Sequence, residues 1–120
     1  MSTAPKNNLE EDKQQPSLMP LDVLMDLLEP AYREGLIKYR RESWREGFFC
    51  SDMFDATMRH LIEFYYNRED LDSDAKKLNI KKHHLGAAIF SIICMYQSIT
   101  TRPELDNRPS VVRQNKNGKE

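Results

Sequence analysis

Residues 85–96 read LGAAIFSIICMY and are apolar on every side of a helix except at Ser91. A helix that is apolar all round is usually a buried one, and a segment this short cannot span a bilayer. The remainder of a chain of 120 residues forms too few short helices to surround it. The sequence therefore predicts that further copies of the chain complete the core. Gly86 and its alanine neighbours are small enough to permit close contact between helices.

Two helical patterns precede this segment. Apolar residues recur at spacings of three and four from Leu21 onwards, so we expect a helix that begins near Pro20. Pro30 removes a backbone hydrogen bond and clashes with the preceding turn, which predicts a break or kink near Glu29. A second piece would then cover residues 31–40.

The next helix is expected to start at Ser51, a suitable N-cap followed by acidic residues, and to end near Asn67. The last helix is expected to run from Asn79 or Ile80 to about Thr100. Only four glycines and few β-branched runs argue against strands. These patterns predict an all-α fold, a small bundle of three to five helices that is completed by oligomerisation.

The organisation along the chain follows from composition. Residues 1–17 and 102–120 are polar and lack periodicity, so we expect a disordered arm and a flexible tail around one helical domain, residues 18–101. Cys50 and Cys94 have no metal-ligand spacing and no signal peptide precedes them, which favours a reduced, cytoplasmic location, the host cytoplasm if the chain is phage-encoded. No membrane partner is expected.

Charge excludes one class of partner. The formal net charge is -1 and 31% of the residues are charged. A protein that holds a nucleic-acid polymer is usually basic, at least on one face. The near-zero net charge of this chain therefore predicts no polymeric nucleic-acid partner.

Residues 68–74, REDLDSD, crowd carboxylates directly behind a helix. Close negative charges repel one another unless a cation or hydrogen-bond donors lie among them. Mg²⁺ prefers oxygen ligands from one or two carboxylates, together with waters and phosphates. Glu69, Asp70 and Asp72 are therefore candidate metal ligands. A solvated acidic turn, or side chains that cap a helix or pair with lysines, remains the alternative.

Two histidines precede the apolar segment. Neighbouring residues on a helix point about 100° apart, so His83 and His84 cannot both face one site. His84 shares a face with Ala87 and Ser91 and is the one expected to point inward. His60 lies in an apolar stripe of the preceding helix. For each of these histidines, a structural role with a hydrogen bond stays open beside a ligand role.

Residues 38–46, KYRRESWRE, combine cations with aromatic rings. A ring can stack on a base while a neighbouring cation binds phosphate, and Lys38, Tyr39 and Trp44 would suit these two tasks. The alternative is a solvated loop with Trp44 inserted into the core. A glycine-rich phosphate loop and a nucleophilic triad are both absent from the sequence.

These three stretches together resemble a known family. GLIKYRRESWREG, then DATMRHLIEFYYNREDLD, then HHLGAAIFSI, in that order over residues 18–99, are similar to a small phage domain of dATP/dGTP diphosphohydrolases. Such domains are similar to the MazG-like all-α nucleoside triphosphate pyrophosphohydrolases, which are helical oligomers that bind Mg²⁺ and release pyrophosphate. The resemblance implies a homo-oligomer with a nucleotide ligand and Mg²⁺ as cofactor.

The resemblance also implies roles for individual residues. It implies nucleotide contacts by Lys38, Tyr39, Trp44, Arg59, His60 and His84. It implies metal binding by Glu69, Asp70 and Asp72, with Glu69 and Asp72 taking part in catalysis. Arg40, Ser43 and Arg68 depart from the family pattern.

Two functions follow as hypotheses. The first is a Mg²⁺-dependent pyrophosphohydrolase of purine deoxynucleoside triphosphates. The second is a protein on the same scaffold that only binds and sequesters a nucleotide, including a cyclic signalling nucleotide of host defence. The departures and the lysines at Lys76, Lys77, Lys81 and Lys82 favour the second hypothesis. A third hypothesis is a helical interaction protein with neither activity.

Overall fold

The computed structural model describes residues 13–110. Within them lie four α-helices, α1 (Leu21–Lys38), α2 (Cys50–Tyr65), the short α3 (Ser73–Lys76) and α4 (His84–Thr101). Single 3₁₀ turns occur at Pro16–Leu18, Ser43–Glu46 and Pro103–Leu105. These residues form no β-strand, so the prediction of a small all-α fold is confirmed. The predicted N-terminal arm falls largely outside the described residues, as do residues 111–120 of the predicted tail.

The predicted break at Glu29 is wrong, because α1 continues through Pro30 to Lys38 as one helix. The proline removes one backbone hydrogen bond near the middle of the helix. Bonds on both sides remain, and α1 packs along α4, where a carbon atom added to Gly86 would lie 2.0 Å from the carbonyl oxygen of Leu27. This close contact lies before the proline, and Tyr32 packs against Phe90 of α4 after it. Tertiary packing on both sides of Pro30 therefore outweighs the local preference.

The helix α2 begins one residue before the predicted N-cap and ends before Asn67. Its N-cap is Phe49, which offers no side-chain hydrogen bond. Ser51 lies inside the first turn, and its backbone N–H donates to the Asn107 side chain at 2.9 Å. The Asn107 amide donates in return to the Ser51 hydroxyl at 2.9 Å. A residue distant in sequence therefore satisfies this helix end, which local patterns could not predict.

The helix α4 begins at His84, four or five residues later than predicted. The intervening chain forms α3 and then reverses, with a left-handed backbone at Asn79 and a buried Ile80. An antiparallel bridge joins Leu71 to His83. The His83 side chain caps α4 by accepting a hydrogen bond from the Leu85 N–H at 2.9 Å. These contacts bring the acidic stretch directly beside the first turn of α4.

The core lies along α4, which packs against both α2 and α1. Its buried apolar residues are mostly small: Ala31, Cys50, Ala75, Ile80, Ala87, Ala88 and Cys94. Both cysteines are free, and burial raises the pKa of the Cys94 thiol to about 12. No helix in residues 13–110 combines the length and apolar content that a membrane crossing requires.

The chain after α4 folds back onto the start of α2. The Arg102 guanidinium donates to the Glu46 carbonyl oxygen at 2.9 Å. Gly47 has a φ of 101°, and a Cβ at this position would lie 2.6 Å from Leu105. A glycine therefore lets the Ser43–Glu46 turn pass closely beneath this segment. The contacts fix the turn that carries Trp44.

Candidate functional site

A cavity of about 410 Å³ opens between the C-terminal half of α1 and the Ser43–Glu46 turn. We call it the aromatic cavity. Its aromatic lining consists of Tyr32, Tyr39, Trp44, Phe48 and Phe90. Tyr32 meets Trp44 edge-on at 5.4 Å between ring centroids and Phe90 at 4.8 Å. Such edge contacts favour fixed ring orientations, so the inner wall of the cavity is rigid.

Trp44 is half-buried. It is therefore partly available for stacking on a base and partly inserted into the core, the two alternatives that the sequence left open. One of its faces is covered by the Arg45 guanidinium, 4.4 Å from the ring centroid. Tyr39 lies at the rim and is mostly exposed. Burial raises the pKa of Tyr32, so its hydroxyl stays protonated at neutral pH. The cavity therefore offers apolar ring surface together with a phenolic hydrogen-bond group.

Cationic side chains also line the aromatic cavity. Lys38, Arg40 and Arg41 belong to its lining. Lys38 Nζ lies 3.3 Å from Glu34 Oε2, and Arg40 is paired with the exposed Glu46. Arg41 makes no ion pair within residues 13–110. The exposed pair of Arg40 is weak and exchanges readily, and the Lys38 side chain is itself 44% exposed, so these cations can turn towards an anionic ligand.

A buried lysine connects the cavity wall to the acidic stretch. Lys82 Nζ lies 2.6 Å from Glu34 Oε1 and 3.1 Å from Asp72 Oδ2. All three residues are buried, and Glu34 also lines the aromatic cavity. Glu34 Oε2 is close enough to Lys38 for an ion pair but makes no hydrogen bond. One carboxylate oxygen in the cavity wall therefore keeps its hydrogen-bonding capacity.

Two histidines meet on the other side of Asp72. His60 Nδ1, from α2, lies 2.9 Å from His84 Nδ1, at the start of α4. His84 Nε2 lies 2.6 Å from Glu69 Oε1. One nitrogen of each histidine and one oxygen of Asp72 all lie within 4.8 Å of one another. We call His60, Asp72 and His84 the histidine cluster.

The surroundings shift two pKa values in this region. Burial lowers the pKa of His60, and the nearby charge of Lys82 and the neighbouring His84 lower it further. Burial alone would raise the pKa of Asp72, but the hydrogen bond from the Asp74 N–H and the contact with Lys82 outweigh it and lower that pKa. At neutral pH the region thus holds a neutral His60 beside an ionised Asp72.

The structure divides the residues predicted for the site into two groups. Lys38, Tyr39 and Trp44 lie together in the aromatic cavity. His60, His84, Glu69 and Asp72 lie together around the histidine cluster. Arg59 and the Asp70 side chain join neither group: both are exposed and, among residues 13–110, make no ion pair. The backbone carbonyl of Asp70 accepts the His84 N–H at 2.8 Å.

The three carboxylates predicted to bind Mg²⁺ contact different partners. Glu69 contacts His84, and Asp72 contacts Lys82 and caps α3 through the Asp74 N–H. Asp70 is exposed. An octahedral Mg²⁺ site requires oxygen ligands that converge on one point, so Mg²⁺ binding by these three residues stays a prediction and requires their side chains to turn.

Sequence reasoning missed Glu34 as a site residue and did not distinguish Lys82 from the three neighbouring lysines. The two are 48 positions apart and meet only through the packing of α1 beside the chain reversal. The signal available was weak: Glu34 lies four residues before Lys38 on the helical face that turns towards the cavity. Only the tertiary structure brings Glu34 and Lys82 together.

Comparison with protein families found a match over most of the chain. Residues 3–108 match the protein family described as dATP/dGTP diphosphohydrolase, N-terminal. The chain matches no curated protein and no solved structure.

Proposed function

The chain belongs to the family of dATP/dGTP diphosphohydrolase N-terminal domains, and from this premise we propose that it hydrolyses purine deoxynucleoside triphosphates to monophosphate and pyrophosphate. The observation that carries the proposal is the aromatic cavity. It has a volume of about 410 Å³ and lies beside buried carboxylates. Pockets for small ligands commonly measure about 300–1,000 Å³.

In this proposal the purine base enters the aromatic cavity. The rings of Tyr32, Trp44 and Phe90 line the wall in fixed orientations, and a purine offers a larger stacking surface than a pyrimidine does. Tyr39, exposed at the rim, is able to close over the base. The neutral hydroxyl of Tyr32 supplies a hydrogen bond.

The cations of the rim hold the phosphates. Lys38 and Arg41 are the side chains that reach phosphate oxygens most easily, because one has only a weak ion pair and the other has none within residues 13–110. Hydrogen bonds between such cations and phosphate are stronger than those between neutral groups. The triphosphate therefore runs along the outer end of α1.

In this proposal Glu34 orients the attacking water once the ligand draws Lys38 away from it. Its Oε2 atom is buried in the cavity wall without a hydrogen bond. Attack on phosphorus in such reactions depends mainly on positioning of the water and on neutralisation of charge. Mg²⁺ enters this proposal with the triphosphate, whose oxygens supply ligands.

A second candidate is a protein that binds a nucleotide without turnover. The observation that favours it is the pairing of the buried carboxylates Glu34 and Asp72 with Lys82. Charges engaged in this way are less available to a catalytic metal. A cyclic signalling nucleotide would suit the same cavity, since it also presents purine rings and phosphates.

The two candidates are separated by incubation with dATP, dGTP, dCTP, dTTP and a cyclic purine dinucleotide in the presence of Mg²⁺. Products are followed by anion-exchange chromatography and binding by thermal shift. Release of pyrophosphate from dATP or dGTP supports the enzyme. A thermal shift without products supports the binding protein, and neither response from any nucleotide contradicts both.

Two variants locate the site. Trp44→Ala removes a ring of the aromatic cavity and is expected to weaken binding. Glu34→Gln keeps the shape of the side chain, and it is expected to reduce turnover more than binding if Glu34 orients water. Asp55→Asn is the matched control, because Asp55 is exposed and lies outside both groups.

A further inference from the structure

Three separate elements converge on the histidine cluster. His60 comes from the middle of α2, His84 is the first residue of α4, and Asp72 is the N-cap of α3. One nitrogen of each histidine and an oxygen of Asp72 lie within 4.8 Å of one another. His84 is only 3% exposed. The geometry therefore places three donor atoms around one point under the surface.

Glu69 sets the orientation of His84. A carboxylate can only accept a hydrogen bond, so the His84 Nε2 atom, 2.6 Å from Glu69 Oε1, carries the proton. In the neutral imidazole, the Nδ1 lone pair then points at His60 Nδ1. Histidines that bind metals are usually held by a carboxylate at the opposite nitrogen in this way.

We infer that His60, His84 and Asp72 form a binding site for one divalent transition-metal ion, with Glu69 as the positioning residue for His84. Two imidazoles and one carboxylate are a typical donor set for zinc, iron, cobalt, nickel and related ions, whereas Mg²⁺ prefers oxygen alone. The inference does not rest on the proposed nucleotide activity, because no residue of the aromatic cavity is a ligand.

The distances require little movement. The two Nδ1 atoms are 2.9 Å apart, and nitrogens on a tetrahedral zinc lie about 3.3 Å apart, given Zn–N bonds of about 2.0–2.1 Å. Without metal, the His60 Nδ1–H donates a hydrogen bond to His84 Nδ1. Metal binding moves that proton to His60 Nε2, a change of tautomer that releases no proton, and His60 is only half-buried and can turn.

Local charge accommodates the ion. The carboxylates of Glu34 and Asp72 share the single buried ammonium group of Lys82, and Glu69 adds a third carboxylate beside His84. Asp72 Oδ2 contacts Lys82 at 3.1 Å and retains a second lone pair for a metal. Because the carboxylates outnumber the buried cation, a divalent ion relieves their mutual repulsion.

The test is titration of the chelator-treated full chain, free of a histidine tag, with Zn²⁺, Co²⁺ and Mg²⁺ by calorimetry and, for Co²⁺, by visible absorption. We expect one Zn²⁺ or Co²⁺ per chain, ligand-field bands typical of low coordination, and at least tenfold weaker binding of Mg²⁺. His60→Gln is expected to weaken Zn²⁺ binding at least tenfold, and Glu69→Gln by roughly ten- to a hundredfold.

The chain offers a matched control, since it holds three histidines and His83 only caps α4. His83→Gln is expected to keep Zn²⁺ affinity within about twofold of the wild type. Circular dichroism checks that each variant is folded, and His60→Ala replaces His60→Gln if that variant unfolds. Three results would each overturn the inference. They are absence of Zn²⁺ and Co²⁺ binding, equal affinity for Mg²⁺, and Zn²⁺ binding that is unchanged in the folded His60 variant.

Discussion

Lys82 is the residue whose environment differs most from what its sequence context suggests. It follows another lysine in a polar stretch, yet it is buried between Glu34 and Asp72. Removal of one partner from a buried ion pair leaves uncompensated charge and commonly costs about 3–5 kcal/mol. We expect Lys82→Met to lower the free energy of unfolding by an amount in that range, measured by urea denaturation.

The neighbouring lysine supplies the control for this measurement. Lys81 is exposed and makes no ion pair within residues 13–110. Lys81→Met is expected to change stability by no more than about 0.5 kcal/mol, as most exposed substitutions do. Equal effects of the two substitutions would contradict the buried position of Lys82.

Lys38 is expected to matter for ligand binding and little for stability. Its side chain is 44% exposed and its contact with Glu34 is 3.3 Å long, and an ion pair of this kind contributes at most about 1 kcal/mol. Lys38→Ala should therefore weaken nucleotide binding while the melting temperature changes little. A large loss of melting temperature with unchanged affinity would show that Lys38 is structural.

The lowered pKa of His60 predicts that the stability of the metal-free protein depends on pH. The groups around His60 are Lys82, His84 and Arg59, which lower its pKa together with burial, and Asp72, which opposes them. The folded chain thus holds its proton more weakly than the unfolded chain does. Below the unfolded pKa of about 6.5, protons favour the unfolded state, so stability falls as pH decreases towards the lowered pKa.

Urea denaturation with a chelator present checks this expectation. Between about pH 7 and about pH 5, the wild type should lose stability by up to about 1.4 kcal/mol per pH unit. His60→Gln should remove most of that slope. The lowered pKa of Asp72 produces a separate loss, which begins only below about pH 4. A slope that persists unchanged in His60→Gln would refute the assignment.

At the residue scale, the motifs and the family resemblance singled out His60, His84, Glu69 and Asp72, which the structure brings together; their functional roles stay predictions. The motifs could not predict which side chain each of these residues contacts. Asp72 caps α3 and contacts Lys82, so Asp72→Asn is expected to destabilise the metal-free protein.

At the scale of elements, helical periodicity located α1, α2 and α4 but not all of their ends. The predicted break at Pro30 did not occur, since packing on α4 holds α1 on both sides of it. The predicted start of α4 was too early because α3 and the bridge between Leu71 and His83 use that part of the chain. Such tertiary contacts have no local signal in the sequence.

Gly86 permits the closest contact between two helices. A Cβ at this position would lie 2.0 Å from the Leu27 carbonyl oxygen, which belongs to the backbone and cannot move by itself. Gly86→Ala must separate α1 from α4, and overpacking of this kind costs about 1–3 kcal/mol or more. We expect a clear loss of melting temperature.

Gly35 supplies the opposite case within α1. A Cβ there meets nothing within 4 Å, and alanine is favoured over glycine inside a helix by about 0.5–1 kcal/mol. Gly35→Ala is therefore expected to raise the melting temperature. A loss of stability in Gly35→Ala similar to that in Gly86→Ala would indicate that helix–helix distance is not the cause.

At the scale of the whole molecule, the single chain buries mainly small apolar residues and leaves large ones exposed. Ile92 and Tyr96, four residues apart on α4, are 48% and 68% exposed. On α2 the exposed large side chains are Phe54, Met58, Leu61, Ile62 and Tyr65. Apolar surface of this extent on a small protein is typical of interaction sites. Coverage by other copies of the chain remains our proposal for it.

The prediction of an oligomer is tested with substitutions at the exposed apolar residues of α4. Light scattering at micromolar concentration is expected to show a stable homo-oligomer, most simply with an even number of subunits. Ile92→Glu and Tyr96→Glu place a carboxylate in the proposed contact, where its desolvation is unfavourable, so each should shift the protein towards monomer. Lys81→Glu, an exposed change away from α4, is the control and should leave the mass unchanged. A wild type that stays monomeric would contradict the proposal, because the apolar face of α4 would then be stable in water without a partner.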